Sequence, residues 1–207
     1  MDRKSNLMWN MPQTDAYKTI VAIGTSTGGP KALHKLLVDL PKDLQATYLI
    51  VQHMPAGFTK TLAERINASA DINVKEAEEG DILQKGTAYI APGGYHMLIE
   101  NNKRPTVRLS ELPPVKGHRP SVDVMLDSLA KTNILKKILG VIMTGMGSDG
   151  LEGFKILKAK QNIPIIAQNE ASCVVYGMPR AVIEEGIANK IVPLDEIASE
   201  IIQFVRE

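Results

Sequence analysis

Three side chains that could act together in nucleophilic catalysis stand just past apolar runs of this 207-residue chain. Ser26 follows the run TIVAI, His53 follows ATYLIVQ, and Asp149 comes shortly after ILGVIMT. A serine hydroxyl, an imidazole and a carboxylate are the nucleophile, the general base and the orienting acid of triad catalysis. The sequence therefore contains the three groups that such a reaction needs.

The surroundings of Ser26 are typical of a nucleophile on a strand-to-helix turn. Residues 24–28 read G-T-S-T-G, which fits the G-x-S-x-G pattern in the strand-turn-helix context that this pattern requires. Pro30 suits a first helical position because an N–H there would have no intrahelical partner. The helix N-terminus adds free N–H groups and a partial positive charge beside the serine. We therefore predict that Ser26 is a nucleophile.

The same turn is compatible with a serine that only caps the helix, or with a loop that cradles a phosphate. A P-loop requires Gly-Lys-Ser/Thr after its glycines, but residues 30–32 read P-K-A. A dinucleotide site requires G-x-G-x-x-G and an acidic residue about 20 positions further on. Ser26 occupies the second glycine position of that pattern, and the second apolar run ends in Gln52. The phosphate interpretations are thus weakened, whereas the capping interpretation stays open.

Of the four histidines, His53 is best placed to take a proton from Ser26. It stands directly after the buried strand that we expect beside the serine strand, and a general base must come within hydrogen-bond distance of the nucleophile. His34 falls within the first helix, His96 opens a strand, and His118 lies in a proline-rich loop. A lone loop histidine is more often structural, so both roles stay open for His53 on its position alone.

Asp149 belongs to a glycine-rich loop, G-M-G-S-D-G at residues 145–150. Ser-Asp-Gly is a common turn sequence, so a turn former is the competing interpretation. Beside His53, the carboxylate would hold the imidazole in one tautomer and stabilise the imidazolium. Met146 and the neighbouring glycines would bring backbone N–H groups near the reacting carbon.

Composition excludes several other classes of function. The net charge is +1, so bulk electrostatics recruit neither nucleic acid nor an anionic membrane. The single cysteine, Cys173, excludes an internal disulfide framework and fits a reducing compartment. No set of Cys and His residues has metal-ligand spacing, and no apolar run approaches a membrane span. We expect a cytoplasmic protein that needs no metal or cofactor, binds no nucleic acid and does not insert into a membrane.

Buried strands alternate with helical segments along the chain. This alternation predicts an α/β fold with a doubly wound, mainly parallel sheet and helices on both faces, a three-layer α/β/α arrangement, plus a β-hairpin region around residues 87–110. Residues 1–17 show no periodicity and are predicted to be a tail or linker remnant, whereas 18–207 form one domain. Ligands of such sheets bind beyond the carboxyl ends of the strands, where all three candidate side chains stand.

The chain order Ser, His, Asp disfavours the α/β-hydrolase fold, in which the acid precedes the histidine. The chain instead resembles the catalytic domain of the bacterial chemotaxis protein-glutamate methylesterases (CheB-type methylesterases), which are also protein-glutamine glutaminases. The resemblance covers about residue 18 to the C-terminus. It rests on six segments, namely IGTSTGGP at 23–30, VQHMP at 51–55, YIAPG at 89–93, RPSVD at 119–123, MTGMGSDG at 143–150 and YGMP at 176–179.

The resemblance implies roles for individual residues. The family's nucleophile, base and orienting acid coincide with the three residues chosen above, Ser26, His53 and Asp149. It adds Met146, whose backbone would help to bind the oxyanion. It also adds Thr25 and Thr27 as active-site neighbours.

The resemblance further implies a serine hydrolase that demethylates glutamate methyl esters of chemoreceptors, releases methanol and deamidates receptor glutamines during chemotactic adaptation. The partner would be the methylated cytoplasmic helical region of these receptors. Full-length relatives carry an N-terminal receiver domain, and only residues 1–17 precede the catalytic domain here, so we expect an excised domain or a receiver-less protein. A non-catalytic module that binds a phosphate or a receptor is the alternative from another class.

Overall fold

A parallel sheet flanked by helices organises the part of the chain that the structure describes. This computed structural model describes residues 17–101, 104–132, 134 and 136–207. In chain order its elements are β1 (Thr19–Thr25), α1 (Gly29–Val38), β2 (Ala46–Gln52), α2 (Phe58–Asn67), β3 (Asn73–Glu76), β4 (Thr87–Ile90), β5 (His96–Asn101), β6 (Pro105–Ser110), α3 (Val122–Lys131), β7 (Lys137–Ile142), α4 (Leu151–Gln161), β8 (Ile165–Gln168), α5 (Gly177–Glu184), β9 (Lys190–Val192) and α6 (Leu194–Arg206).

The main sheet has seven parallel strands in the order β3-β4-β2-β1-β7-β8-β9. From β1 the chain first builds outward on one side through β2, and it later returns to the other side of β1 with β7. The carboxyl ends of β1 and β7 therefore flank the point at which the winding reverses, where open α/β sheets bind their ligands. The predicted doubly wound parallel sheet is confirmed.

Burial on both faces explains why the central strands are apolar along their whole length. Every residue of β1 and of β2 is buried. Because side chains alternate across a strand, Ile20 and Ala22 enter the core on one face of the sheet, while Val21 and Ile23 enter the core on the other. A strand with two buried faces reads as a continuous apolar run rather than as an alternating one.

The helices cover the two faces of the sheet with apolar stripes. α1 buries Leu33 and Leu36 in one core, and α3 buries Met125 and Leu129 in the other. These positions recur every three or four residues, which places them on one side of each helix. No helix in the described ranges is long and apolar enough to cross a membrane.

The hairpin is confirmed, but it is shorter than the predicted region at 87–110. β5 and β6 pair antiparallel as a separate two-stranded sheet. β4 at the start of that region instead joins the main sheet between β2 and β3. Its four residues are all buried, and a strand that is covered on both faces suits a parallel sheet.

The predicted tail at residues 1–17 lies outside the described residues except for Tyr17. The Tyr17 side chain is buried in the core, and Lys136 Nζ lies 5.4 Å from the centroid of its ring. Burial raises the pKa of the Tyr17 phenol to about 12. Tyr17 thus packs into the core of the domain.

Phe154 of α4 packs directly on Gly140 of β7, where a Cβ atom would come within 2.4 Å of the ring. Phe154→Ala should lower the free energy of unfolding by about 3–5 kcal/mol, because the ring is fully buried and its loss leaves a cavity. Ile156 on the same helix is 45% exposed, so Ile156→Ala should cost about 0.5 kcal/mol or less. Urea unfolding of both variants measures the difference, and equal losses would contradict this packing.

Candidate active site

The carboxyl ends of three adjacent strands bring the predicted catalytic residues together. Ser26 follows β1, His53 follows β2, and Asp149 lies beyond β7, just before α4. Because β1 pairs with both of the other strands, the three strand ends lie side by side. They border a cleft of about 420 Å³. Its walls include Ser26, Thr27, His53, His118 and Met146.

A hydrogen bond of 2.7 Å joins Nε2 of His53 to Oδ2 of Asp149. Both side chains are buried, with exposed fractions of 6% and 1%. Because a carboxylate only accepts hydrogen bonds, Nε2 carries the proton of the neutral imidazole and donates it. The other ring nitrogen, Nδ1, is buried and has no hydrogen-bond partner among the described residues. His53 therefore has Nδ1 available as a base.

The N-terminus of α3 holds the Asp149 carboxylate in place. Oδ1 accepts hydrogen bonds from the Ser121 hydroxyl at 2.8 Å and from the Asp123 N–H at 3.1 Å. Oδ2 accepts from the Val122 N–H at 2.7 Å in addition to His53. Burial alone would raise the pKa of Asp149, but the hydrogen bonds from His53, the two backbone N–H groups and Ser121 outweigh it and lower the pKa to about 2. Asp149 is thus ionised at neutral pH.

The N-terminal ends of α3 and α4 cap each other with carboxylates, Asp123 from the first turn of α3 and Asp149 from just before α4. While Asp149 accepts from the N–H groups at the start of α3, Oδ1 of Asp123 accepts from the N–H groups of Gly150 at 2.9 Å and Gly153 at 2.8 Å at the start of α4. Oδ2 of Asp123 accepts from Lys116 Nζ at 2.8 Å. Burial raises the pKa of Asp123, and the hydrogen bonds from Lys116 and Gly153 offset it only in part. Each helix thereby satisfies the free N–H groups of the other.

The backbone of Ser26 is tied to the loop that carries Asp149. The Ser26 N–H donates to the Thr144 carbonyl at 3.0 Å. The next residue, Gly145, lies so close that a Cβ atom there would come 2.8 Å from Cβ of Ser26 and 2.3 Å from Sδ of Met178. Ser26 and His53 line the same cleft, and Nδ1 of His53 makes no hydrogen bond to the Ser26 hydroxyl. Such bonds often form only when substrate is bound.

Gln52 joins the backbones of the predicted nucleophile and base. Its Nε2 donates to the Ser26 carbonyl at 2.9 Å and to the His53 carbonyl at 3.0 Å. The side chain is 1% exposed, and its Oε1 has no partner within the part of the chain that the structure describes. No role for Gln52 is predicted from the sequence. The feature of the sequence that could have indicated a role for Gln52 is its polar amide at the end of an otherwise apolar strand.

The three predicted neighbours of the nucleophile have different surroundings. Thr27 and Met146 line the cleft, and their backbone N–H groups have no acceptor among the described residues. Thr25 is fully buried, and its hydroxyl donates to the Thr144 carbonyl at 3.1 Å. Thr25 therefore links the ends of β1 and β7. A role of Thr27 and Met146 in binding an oxyanion stays a prediction.

A family model described as CheB methylesterase matches residues 21–201. The chain belongs to the CheB methylesterase family. Its sequence is 55% identical over 191 residues to a protein-glutamate methylesterase/protein-glutamine glutaminase of Geobacillus kaustophilus, covering 92% of this chain and 54% of that protein. It is 45% identical over 197 residues to the protein of that name from Bacillus subtilis, covering 95% of this chain and 55% of that protein.

The fold agrees with that of a solved CheB methylesterase structure. The crystal structure of the Thermotoga maritima CheB methylesterase catalytic domain matches with a TM-score of 0.85 and 40% sequence identity, covering 91% of this chain and 99% of that domain. This chain spans about half the length of the curated CheB methylesterase relatives that it matches. The segments from which the resemblance was drawn fall within residues 21–201, the range that the family model matches.

Two further titratable residues of this CheB methylesterase chain, His96 and Cys173, have different surroundings from those of His53. His96 is buried and its Nε2 lies 3.1 Å from the Pro113 carbonyl oxygen. Burial raises the pKa of the half-buried Cys173 thiol to about 11, so no reactive thiolate forms there near pH 7. Within the described ranges, no group of three His, Cys, Asp or Glu side chains is placed to hold a metal ion.

Ionised Asp149 should stabilise the fold above the acid range. Its pKa is about 2 in the folded chain, against an ordinary value of 3.8. A lowered pKa contributes stability that is fully present above pH 4 and is lost as the pH falls toward 2. The contribution is about 2 kcal/mol. We expect the stability difference between the parent chain and Asp149→Asn to shrink by that amount between pH 5 and pH 2.

Urea unfolding at both pH values measures this change. The matched control is Asp127→Asn on the surface of α3, where Asp127 pairs with Lys131; its difference from the parent chain should stay nearly constant. If the Asp149→Asn difference also stays constant, the buried carboxylate is not the origin of the acid sensitivity.

Proposed function

We propose that this chain is a serine hydrolase that removes methyl groups from glutamate methyl esters of chemoreceptors, releasing methanol, and that deamidates receptor glutamines. The observation that carries the proposal is the buried His53–Asp149 pair: Nδ1 of His53 has no hydrogen-bond partner among the described residues, and His53 lines the same cleft as Ser26. The names of the relatives support the choice of substrate. A non-catalytic binding module would leave this hydrogen-bonded pair and the free ring nitrogen without a purpose.

In the proposed first step, Nδ1 of His53 takes the proton of Ser26 while Oγ attacks the ester carbonyl carbon. The negative charge on the resulting tetrahedral oxygen is stabilised by the N–H groups of Thr27 and Met146, which have no acceptor among the described residues. Each such preorganised donor contributes roughly 3–4 kcal/mol to transition-state stabilisation. Asp149 stays ionised and stabilises the imidazolium that His53 becomes.

In the second step, His53 returns the proton to the departing methoxide, and methanol leaves. A water molecule that gives a proton to the same Nδ1 then attacks the glutamyl ester on Ser26. His53 passes that proton to the departing Oγ of Ser26, and the free glutamate side chain is released. A glutamine side chain reacts in the same way with ammonia as the leaving group. All proton transfers use the chain's own residues, so the proposal requires no cofactor.

The proposal has consequences for location and partners. Its substrate is the methylated helical region of a chemoreceptor that faces the cytoplasm, so a cytoplasmic location for this chain is part of the proposal. The matched relatives are about twice as long as this chain. We infer that a receiver domain regulates the reaction in such longer relatives, as the family resemblance implies.

Ser26→Ala should abolish methanol release from methylated chemoreceptor membranes. Loss of the nucleophile of a triad costs on the order of 10⁶ in turnover. Ser69→Ala, at an exposed serine in the loop after α2, should release methanol at the parent rate. Undiminished release by Ser26→Ala would contradict the proposed nucleophile.

The acid of the triad can be tested separately. Asp149→Asn should lower turnover by about 10⁴, because the amide no longer holds His53 in the required tautomer. A fluorophosphonate probe should label Ser26 in the parent chain and react far more slowly with Asp149→Asn, as read by mass spectrometry. Equal labelling rates would show that Asp149 does not act through His53, whatever the result with receptor membranes.

A further inference from the structure

The ring of His118 lies flat on the ring of His53. The two ring centroids are 3.8 Å apart and the ring planes differ by 9°. Both residues line the cleft that also contains Ser26. We propose that His118 is a positioning residue, which holds the imidazole plane of His53 so that Nδ1 stays directed at the Ser26 hydroxyl. This inference rests on the proposed hydrolase function.

A tight turn places His118 against His53. The N–H of Val115 donates to the His118 carbonyl at 3.0 Å, and the N–H of His118 donates to the Val115 carbonyl at 2.9 Å. The two residues between them have positive φ angles, 49° at Lys116 and 81° at Gly117. Positive φ at both central positions is the geometry of a type I′ turn, which closes two antiparallel strands with a defined twist. The direction of the His118 Cα–Cβ bond is thereby set by its backbone.

The turn is anchored to the elements that hold Asp149. Lys116 Nζ donates to Oδ2 of Asp123 at 2.8 Å and to the Ser148 carbonyl at 3.3 Å. Asp123 in turn caps the start of α4. The position of His118 is therefore coupled to the same helix ends that hold Asp149.

The chain continues from His118 into a second anchor. Arg119 donates from its guanidinium to the carbonyls of Glu111 at 2.7 Å and Leu112 at 3.2 Å. Its own carbonyl accepts from the N–H of Gly94 at 3.1 Å. Contacts on both sides of His118 thus restrain the ring that covers His53.

A second constraint on His53 is needed because one hydrogen bond does not fix a ring plane. The bond from Nε2 to Asp149 holds one atom, about which the imidazole can still tilt. A parallel ring at van der Waals distance blocks that tilt. A 1 Å misplacement of a reacting group can cost about 10²-fold in rate, so the tilt of Nδ1 matters for catalysis.

The stacked ring is suited to a partner that becomes charged. Burial lowers the pKa of His118, the neighbouring His53 lowers it further, and Asp149 offsets this only in part. A neutral His118 presents its π face to the imidazolium form of His53, which is a favourable contact for a cation. No carboxylate hydrogen bonds to the His118 ring in the described part of the chain, which distinguishes it from His53 with its Asp149 partner. Positioning therefore fits His118 better than a role as a base.

The test compares substitutions that keep or remove the flat ring. His118→Ala and His118→Leu should lower kcat for methanol release 10- to 100-fold with KM changed by about threefold or less, since Nδ1 loses its direction while the receptor still binds. His118→Phe, which keeps a stacking ring, should recover kcat to within about fivefold of the parent chain. His34→Ala, in α1 and outside the cleft lining, is the matched control and should behave as the parent chain.

A second readout uses no receptor. The rate at which a fluorophosphonate labels Ser26 should follow the same order, with parent and His118→Phe fast and His118→Ala and His118→Leu slow. Thermal unfolding of each variant identifies any that fails to fold. His118→Leu fills most of the ring volume, so it still tests the proposal if His118→Ala does not fold.

The outcomes separate the two proposals. Parent-level kcat and labelling for His118→Ala or His118→Leu would overturn the positioning role while leaving the hydrolase intact. Equal losses for His118→Phe and His118→Leu would also overturn it, because the flat ring would then be irrelevant. If the parent chain neither labels at Ser26 nor releases methanol, the proposed function fails and the role of His118 fails with it.

Discussion

The hydrogen bonds to the buried carboxylate of Asp149 are the interaction on which the site at the carboxyl ends of the strands depends. A charge that is almost fully removed from water is stable only when hydrogen bonds replace its hydration. Here the replacement comes from the first turn of α3, from the Ser121 hydroxyl and from His53. The same four bonds that make burial tolerable also fix the position and tautomer of His53. Stability and site geometry therefore have a common physical origin in this chain.

The strand order of the sheet brings the three residues of this site together. Because β1 lies between β2 and β7, Ser26, His53 and Asp149 meet at one end of the sheet. Along the chain, 27 positions separate Ser26 from His53, and 96 positions separate His53 from Asp149. The central strands are buried on both faces and cannot shift without exposing apolar side chains. A rigid frame of this kind suits a site whose residues come from separate loops.

Close backbone packing completes the site around Ser26. Gly145 lies against the serine and against Met178 of α5, where no side chain would fit. The N–H of Gly145 donates to the Val175 carbonyl, and the N–H of Met178 donates to the Gly145 carbonyl. The segment Y-G-M-P at 176–179 thereby supports the loop that carries Met146. This contact explains why two glycine-containing segments distant in sequence belong to one site.

The sequence by itself determined the elements and the candidate residues at their ends. Continuous apolar runs, a glycine turn and a proline at a helix start indicate strand, turn and helix through local sterics and burial, and the carboxyl ends of parallel strands converge in any such sheet. Ser26, His53 and Asp149 can be predicted from these features alone. The start of the hairpin cannot, because the local pattern around residue 87 does not determine which neighbour a buried strand will pair with.

Only the tertiary structure decided the contacts between separate elements. The amide of Gln52 between two carbonyls, the exchange of caps between Asp123 and Asp149, and the stacking of His118 on His53 each join residues from different loops or helices. Their directions depend on how helices and turns pack on the sheet, and neither propensity nor spacing encodes that packing. The sequence therefore indicates the candidate groups, and the packing determines that Nδ1 is the nitrogen of His53 without a hydrogen-bond partner among the described residues.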